Sequence, residues 1–273
     1  MNFTKPALFF VALLVLPAVA GGIYFFCGLM DLRTRKGRVS ESYFGLPDIF
    51  LGGLLAAYFG YVGFYSMRRN DAVADLKPEL LLSNAAFMLA MLVVVVFFAL
   101  MRRIPVSEAA GTEWRHFGPG IPRALVGLAG ALPLVWVVNL TSAEWLSERA
   151  QEQSLLMVFR KACSTGEWST VGAVALSAVL IAPLVEEGLF RGYFYGTLKR
   201  YFGSLLSAGF TSALFAFSHG SPVVMAGLFV LSLCLTLSYE RHGSLWVPIV
   251  MHSSFNALSL LTVYLQARGI LPR

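Results

Sequence analysis

STVGAVALSAVLIAPLVEEGLFR, from Ser169 to Arg191, opens with an uncharged, mostly apolar run and closes on two acids and a base. At 1.5 Å of rise per residue, Ser169 to Phe190 would make a helix of about 33 Å, close to the thickness of a bilayer's hydrocarbon core. Its apolar residues do not alternate with a period of two, so the stretch reads as a membrane helix and not as a strand of a barrel. An ionisable side chain at membrane depth costs a few kcal/mol even on lenient scales. Glu186, Glu187 and Arg191 together therefore call for a reason, and the first to consider is chemistry. The plainer reading is a helix end solvated at the headgroup layer.

The rest of the chain follows the same pattern. Of 273 residues 57% are hydrophobic and only 13% charged, the latter roughly half the share of an ordinary soluble domain. Apolar segments of membrane-spanning length recur at Ala7 to Met30, Pro47 to Met67, Leu80 to Met101, Pro122 to Thr141, Ser169 to Phe190, Phe202 to Ser218, Pro222 to Tyr239 and Ser244 to Leu265. No second soluble block interrupts them. The expected fold is all-α: a polytopic integral membrane helical bundle of about eight transmembrane helices, forming a single membrane domain over residues 1–273. Within it, residues 1–146 read as scaffold and residues 169–265 as the chemically active part. The sixth segment is short and runs at once into Gly220-Ser221-Pro222, so it is expected to stop short of a full crossing. Ala18-Val19-Ala20 resembles a signal-peptidase site, but the apolar run continues past it, which favours an uncleaved first helix.

The net charge of +6 is gathered in short connections: Arg33, Arg35, Lys36 and Arg38; Arg68 and Arg69; Arg102 and Arg103; Lys199 and Arg200. Such clusters attract anionic lipid headgroups, which makes the bilayer the expected partner and nucleic acid an unexpected one. The two faces carry similar totals of Lys and Arg, so charge does not orient the chain. The compact chain suits a bacterial inner membrane. Cys27, Cys163 and Cys234 are too scattered for a disulfide framework or a zinc cage and read as packing residues. From Ser142 to Gly166 the chain is polar with scattered leucines, as for an interfacial helix lying across an entrance.

The polar groups that stand out lie in the last third. Pro183 removes a helix hydrogen bond and frees a carbonyl just before Glu186. Glu187 and Arg191 are four apart and can pair along one turn, while Glu186 points about 100° away and is left free. Phe215-Ala216-Phe217-Ser218-His219 closes an apolar helix on a histidine. His252 and Asn256, four apart, share a face inside the last apolar segment, where both need partners. Taken singly, each group also fits a plain structural part: a cap, an interfacial residue, or an interhelical hydrogen bond.

Together, Glu-Glu-x-x-x-Arg at 186–191, Phe-x-x-x-His at 215–219 and His-x-x-x-Asn at 252–256 resemble the three motifs of the CAAX protease and bacteriocin-processing family of intramembrane proteases. Gly243-Ser244-Leu245-Trp246-Val247-Pro248-Ile249 is similar to that family as well. The similarity covers about Ser169 to Leu265. It implies a glutamic endopeptidase acting on a membrane-associated protein or peptide, with no cofactor. By that resemblance Glu186 is the general base on water, His219 completes the activation, and His252 with Asn256 stabilises the oxyanion. Glu187 and Arg191 support the site. Peptide hydrolysis needs these parts: an activated water, a proton for the leaving amine, and donors for the developing charge. The residues leave three alternatives open. Glu186 with two histidines could hold Zn²⁺, although Asn256 is a poor zinc ligand and no His-Glu-x-x-His occurs. Ser218, Ser253 or Ser254 could serve a Ser-His hydrolase, although no nucleophile elbow surrounds them. A non-catalytic member of the fold, such as a bacteriocin immunity factor or scaffold, would keep the helices without using the acids.

Overall fold

The computed structural model describes residues 5–34, 37–68, 78–145 and 154–271. Every regular element among them is helical: α1 Lys5–Thr34, α2 Leu46–Arg68, α3 Pro78–Met101, α4 Val106–Ala110, α5 Phe117–Trp145, α6 Ser154–Thr165, α7 Trp168–Leu176, α8 Ala182–Glu187, α9 Gly196–Ser218, α10 Pro222–His242 and α11 Trp246–Ala267. π-Helical turns at Ser177–Ile181 and Gly188–Tyr195 join α7 to α8 and α8 to α9. Arg35, Lys36 and Arg69 of the basic clusters, and residues 146–153 of the expected interfacial segment, lie outside the described residues.

Apolar length decides the fold class: the chain is an all-α, multi-pass integral membrane bundle. Six stretches among the described residues are long and apolar enough to cross a bilayer, against the eight expected. One difference lies in the expected fifth and sixth spans, which form a single helical run of 51 residues, Trp168–Ser218. The helix does not end near Phe190, because Arg191 finds buried partners there and the backbone continues as a π-turn. The break falls at Gly203, whose φ of 75° is left-handed and open to glycine without strain. The other difference is α1, whose first turns have side chains outside the described residues.

Large apolar side chains such as Phe50, Val93, Val94, Phe97, Leu125 and Phe210 are exposed, as expected where the surrounding medium is lipid. Trp114, Trp136 and Trp168 are exposed too; indoles favour the headgroup boundary. Inside, three apolar clusters hold the helices together. The first joins α1, α5, α10 and α11 through Phe25, Leu128, Leu235 and Met251. In the second, α2, α3, the π-turn after α8 and α9 meet through Phe59, Val95, Phe190 and Phe215. The third seats α6 on α7 and the end of α11 through Phe159, Cys163, Val174 and Leu260. Residues 154–165 therefore form a helix, packed by its apolar face.

Small residues at Gly52, Gly53, Ala56, Ala57 and Gly60 suit close helix approach, and at Gly52 an added Cβ would touch Phe194 and Thr197. A side chain at Gly53 or Gly60 would instead meet open space. The tight contact in α2 is at Gly63, where an added Cβ would collide with the Phe217 carbonyl. Glycine there lets α2 lie directly against the end of α9, which carries His219.

Candidate active site

The local backbone around the acids follows from one missing hydrogen. In the π-turn before α8, the Ala182 N–H reaches back five residues to the Ser177 carbonyl. The next bond in that register would run from residue 183 to Ala178, but Pro183 has no N–H to give. The Ala178 carbonyl is instead taken by Asn256, whose Nδ2–H donates to it at 2.8 Å. A buried carbonyl needs such a partner, so the Pro183 kink and Asn256 together key α11 onto the segment that carries the acids.

Glu187 faces inward and is fully buried, as is Arg191. Arg191 Nη1–H donates to Glu187 Oε1 at 2.9 Å, and Nη2 donates to Ser232 Oγ at 2.6 Å and to the Ser232 carbonyl at 3.1 Å. The guanidinium also lies over the Phe215 ring, 4.7 Å from its centroid. Since Glu187 answers a buried cation, it acts as an acceptor, and His252 Nδ1–H donates to the same Oε1 at 2.8 Å. The anchoring of His252 from α11 by Glu187 orients the ring so that Nε2 stands 3.9 Å from Glu186 Oε2.

Glu186, one residue earlier, faces a cavity of about 190 Å³. Its polar lining is Tyr58, Asn84, Ser177, Glu186, Ser218 and His219, and its apolar walls include Phe59, Met88, Ile181 and Phe190. The volume is well above the space one water needs. His219 closes α9, and its Nδ1 lies 2.7 Å from the Phe215 carbonyl. A carbonyl only accepts, so Nδ1 carries the proton and Nε2 is the free acceptor nitrogen. Ser218 Oγ–H donates to the same carbonyl at 2.8 Å. Gly220, at φ 64°, then turns the chain into α10 against Ser66, where a side chain has no room.

The structure thus brings the four predicted residues together from α8, α9 and α11, with Phe215 beside both histidine rings at 4.7 and 5.7 Å. Two arrangements differ from a simple common pocket. His252 and Asn256 are not part of the lining shared by Glu186 and His219, and Asn256 has one of its two N–H groups committed to Ala178. Among the described residues no three His, Cys, Asp or Glu side chains converge as a metal site. Reading by motif passed over Tyr58 and Asn84, both from the half taken as scaffold, and Ser232. A signal for Asn84 was present: it is a carboxamide in α3, whose other polar residues are Glu79 and Ser83 near its start, and such a group needs a partner.

Helical architecture and apolar length set the class as a multi-pass membrane bundle, and comparison with known proteins narrows it. Residues 168–258 match the family described as type II CAAX prenyl endopeptidase Rce1-like. That segment contains the motifs at 186–191, 215–219 and 252–256, and the match supports a likeness to the CAAX protease and bacteriocin-processing family across about a third of the chain. It is also similar to an Escherichia coli protein named "Uncharacterized 24.3 kDa protein", at 34% identity over 91 residues. That match spans 32% of this chain and 42% of the relative. No solved structure matches.

Proposed function

We propose that this chain is an intramembrane endopeptidase of the glutamic type, hydrolysing a peptide bond of a membrane-associated protein or peptide. The observation that carries this reading is the shared cavity of Glu186 and His219, with His252 held beside Glu186 at 3.9 Å. A water there has two protons to place. Glu186 takes one as general base, and His219 Nε2 accepts a hydrogen bond from the other, which leaves a lone pair for the carbonyl carbon. As the tetrahedral intermediate collapses, Glu186 returns its proton to the leaving amine. Asn256 through its remaining N–H, and His252 in the doubly protonated form that keeps Nδ1–H on Glu187 and presents Nε2–H, are the proposed donors to the oxyanion. Glu187 and Arg191 hold His252 in position.

A wide apolar hollow of about 1180 Å³ between α5, α9 and α10 reaches Ala216 and Phe217, next to Ser218 and His219. It supports a substrate that arrives through lipid. The membrane is proposed to be a bacterial inner membrane.

The test is proteolysis by purified wild type and Glu186→Gln on a panel of membrane-anchored peptides, with and without a strong zinc chelator. The expected result is cleavage by wild type in both conditions and none by the variant. Loss with chelator would replace the metal-free mechanism by a zinc one. Absence of wild-type cleavage across the panel would turn the reading toward a non-catalytic immunity or scaffold role.

A further inference from the structure

A protease that works at membrane depth must unwind its substrate locally. The unwound peptide then presents backbone N–H and C=O groups that have no water to bind and must find partners on the enzyme. One side chain of the cavity wall offers partners for both on a single planar group. Asn84, on α3, offers a carboxamide with a donor and an acceptor side by side, the same pair that a peptide unit presents. It is exposed and makes no hydrogen bond to another described residue, and it lines the cavity with Glu186, Ser218 and His219. Apart from Ser83, whose hydroxyl donates to the Leu80 carbonyl, its helix is otherwise apolar between Glu79 and Met101. Elsewhere in the site each polar side chain on the core side is tied down: Asn256 to Ala178, His252 to Glu187, Arg191 to Ser232.

Resting on the protease reading above, we infer that Asn84 is a substrate-binding residue, pairing its carboxamide with a backbone amide of the extended peptide next to the scissile bond. Its exposure argues for this part over that of an oxyanion donor. Stabilisation of developing charge needs a group locked in place beforehand, whereas a free carboxamide at a cavity wall is completed by the ligand. The scaffold half thereby contributes a recognition element that holds the peptide strand while α8 and α9 act on it.

The experiment compares wild type, Asn84→Leu and Asn84→Gln in nanodiscs on the best-cleaved anchored peptide, with Glu186→Gln as the inactive control. Asn84→Leu is expected to raise KM about tenfold, the worth of one such hydrogen bond, with kcat within about threefold, and Asn84→Gln should recover part of the loss. A set of peptides N-methylated at single backbone amides near the cleavage site supplies the readout that a structural role would not move. One of them should lose about tenfold in kcat/KM with wild type and little further with Asn84→Leu. If wild type and Glu186→Gln behave as a glutamic protease but Asn84→Leu leaves KM unchanged, or lowers kcat alone, the assignment of Asn84 is wrong and the protease reading stands. If wild type cleaves nothing, both fall together.

Discussion

Two buried carboxylate clusters in this bundle look alike in composition and differ in saturation. At the end of α10, Glu240 Oε1 accepts from Lys199 Nζ at 2.5 Å and from Tyr195 O–H at 2.6 Å, while Oε2 accepts from the Val39 N–H at 3.3 Å. Lys199 donates in addition to the Val39 carbonyl at 2.6 Å. Both oxygens are engaged, and the cluster ties the segment after α1 to α9 and α10. At α8 the saturation is split between neighbours. Glu187 is pinned through Oε1 by Arg191 and His252 while its Oε2 is buried with no hydrogen bond among the described residues, and Glu186 faces a cavity with its nearest ionisable neighbour 3.9 Å away. A carboxylate whose lone pairs are all occupied can only hold, and one left facing space can take a proton from something that enters.

The sharpest way to break this comparison is to neutralise the two adjacent acids separately. Glu186→Gln should abolish cleavage, a loss of at least about 10³-fold in kcat, the scale expected when a general base is removed. The fold should survive, because no hydrogen bond of the described bundle depends on that side chain. Glu187→Gln should do the reverse first: Arg191 loses its counter-charge while fully buried, which costs about 3–5 kcal/mol. Thermal unfolding in detergent, followed alongside activity, separates the two. Equal destabilisation by both variants would show that the open and closed acids are not different in kind.

Glu240→Gln tests the saturated cluster on its own. Lys199 is left with only Glu41, 3.9 Å away, as counter-charge, so a loss of up to about 3 kcal/mol is expected, yet kcat/KM of the folded protein should stay within about threefold. Replacing both members, as Glu240→Leu with Lys199→Met, should recover much of the stability, because no buried charge of the pair remains and Glu41, which Lys199 also neighbours, is partly exposed. A collapse of activity in the stable double variant would mean that this cluster communicates with the cavity and is not merely a tie.

How much of this the sequence disclosed depends on how far apart the partners lie along the chain. The Glu187–Arg191 pair was readable because four residues make one turn, and so was the opposite aim of Glu186. Convergence of α8, α9 and α11 was readable from the motifs at 186–191, 215–219 and 252–256. The helix through Arg191 was not. A buried arginine needs partners, and Ser232 and Phe215 stand on other helices with nothing in local composition to announce them. The Pro183 effect was anticipated in kind, but the carbonyl it frees belongs to Ala178, about two turns before Glu186, because the register there is π and not α. Lys199 was grouped with Arg200 as a headgroup-facing cluster, although its acid, Glu240, is 41 residues away. Asn84 was hidden for a different reason: it matches no motif, and only the packing of α3 against α8 puts it beside Glu186.

The smallest expected effect does the most to separate mechanisms. Ser218 lines the cavity beside Glu186 and His219, which is where a serine nucleophile would have to be. Its O–H is directed, however, at the Phe215 carbonyl at 2.8 Å, the same acceptor that holds His219 Nδ1. A hydroxyl poised for attack would give its proton to a base, and the free base nitrogen, His219 Nε2, is not the atom it meets. Ser218→Ala should therefore leave kcat within about threefold, with the removed hydrogen bond appearing as about 1 kcal/mol of stability. A loss approaching that of Glu186→Gln, with trapping of a covalent acyl-enzyme, would hand the reaction to serine and reduce Glu186 to a supporting charge. Full activity would leave water, held between Glu186 and His219, as the nucleophile.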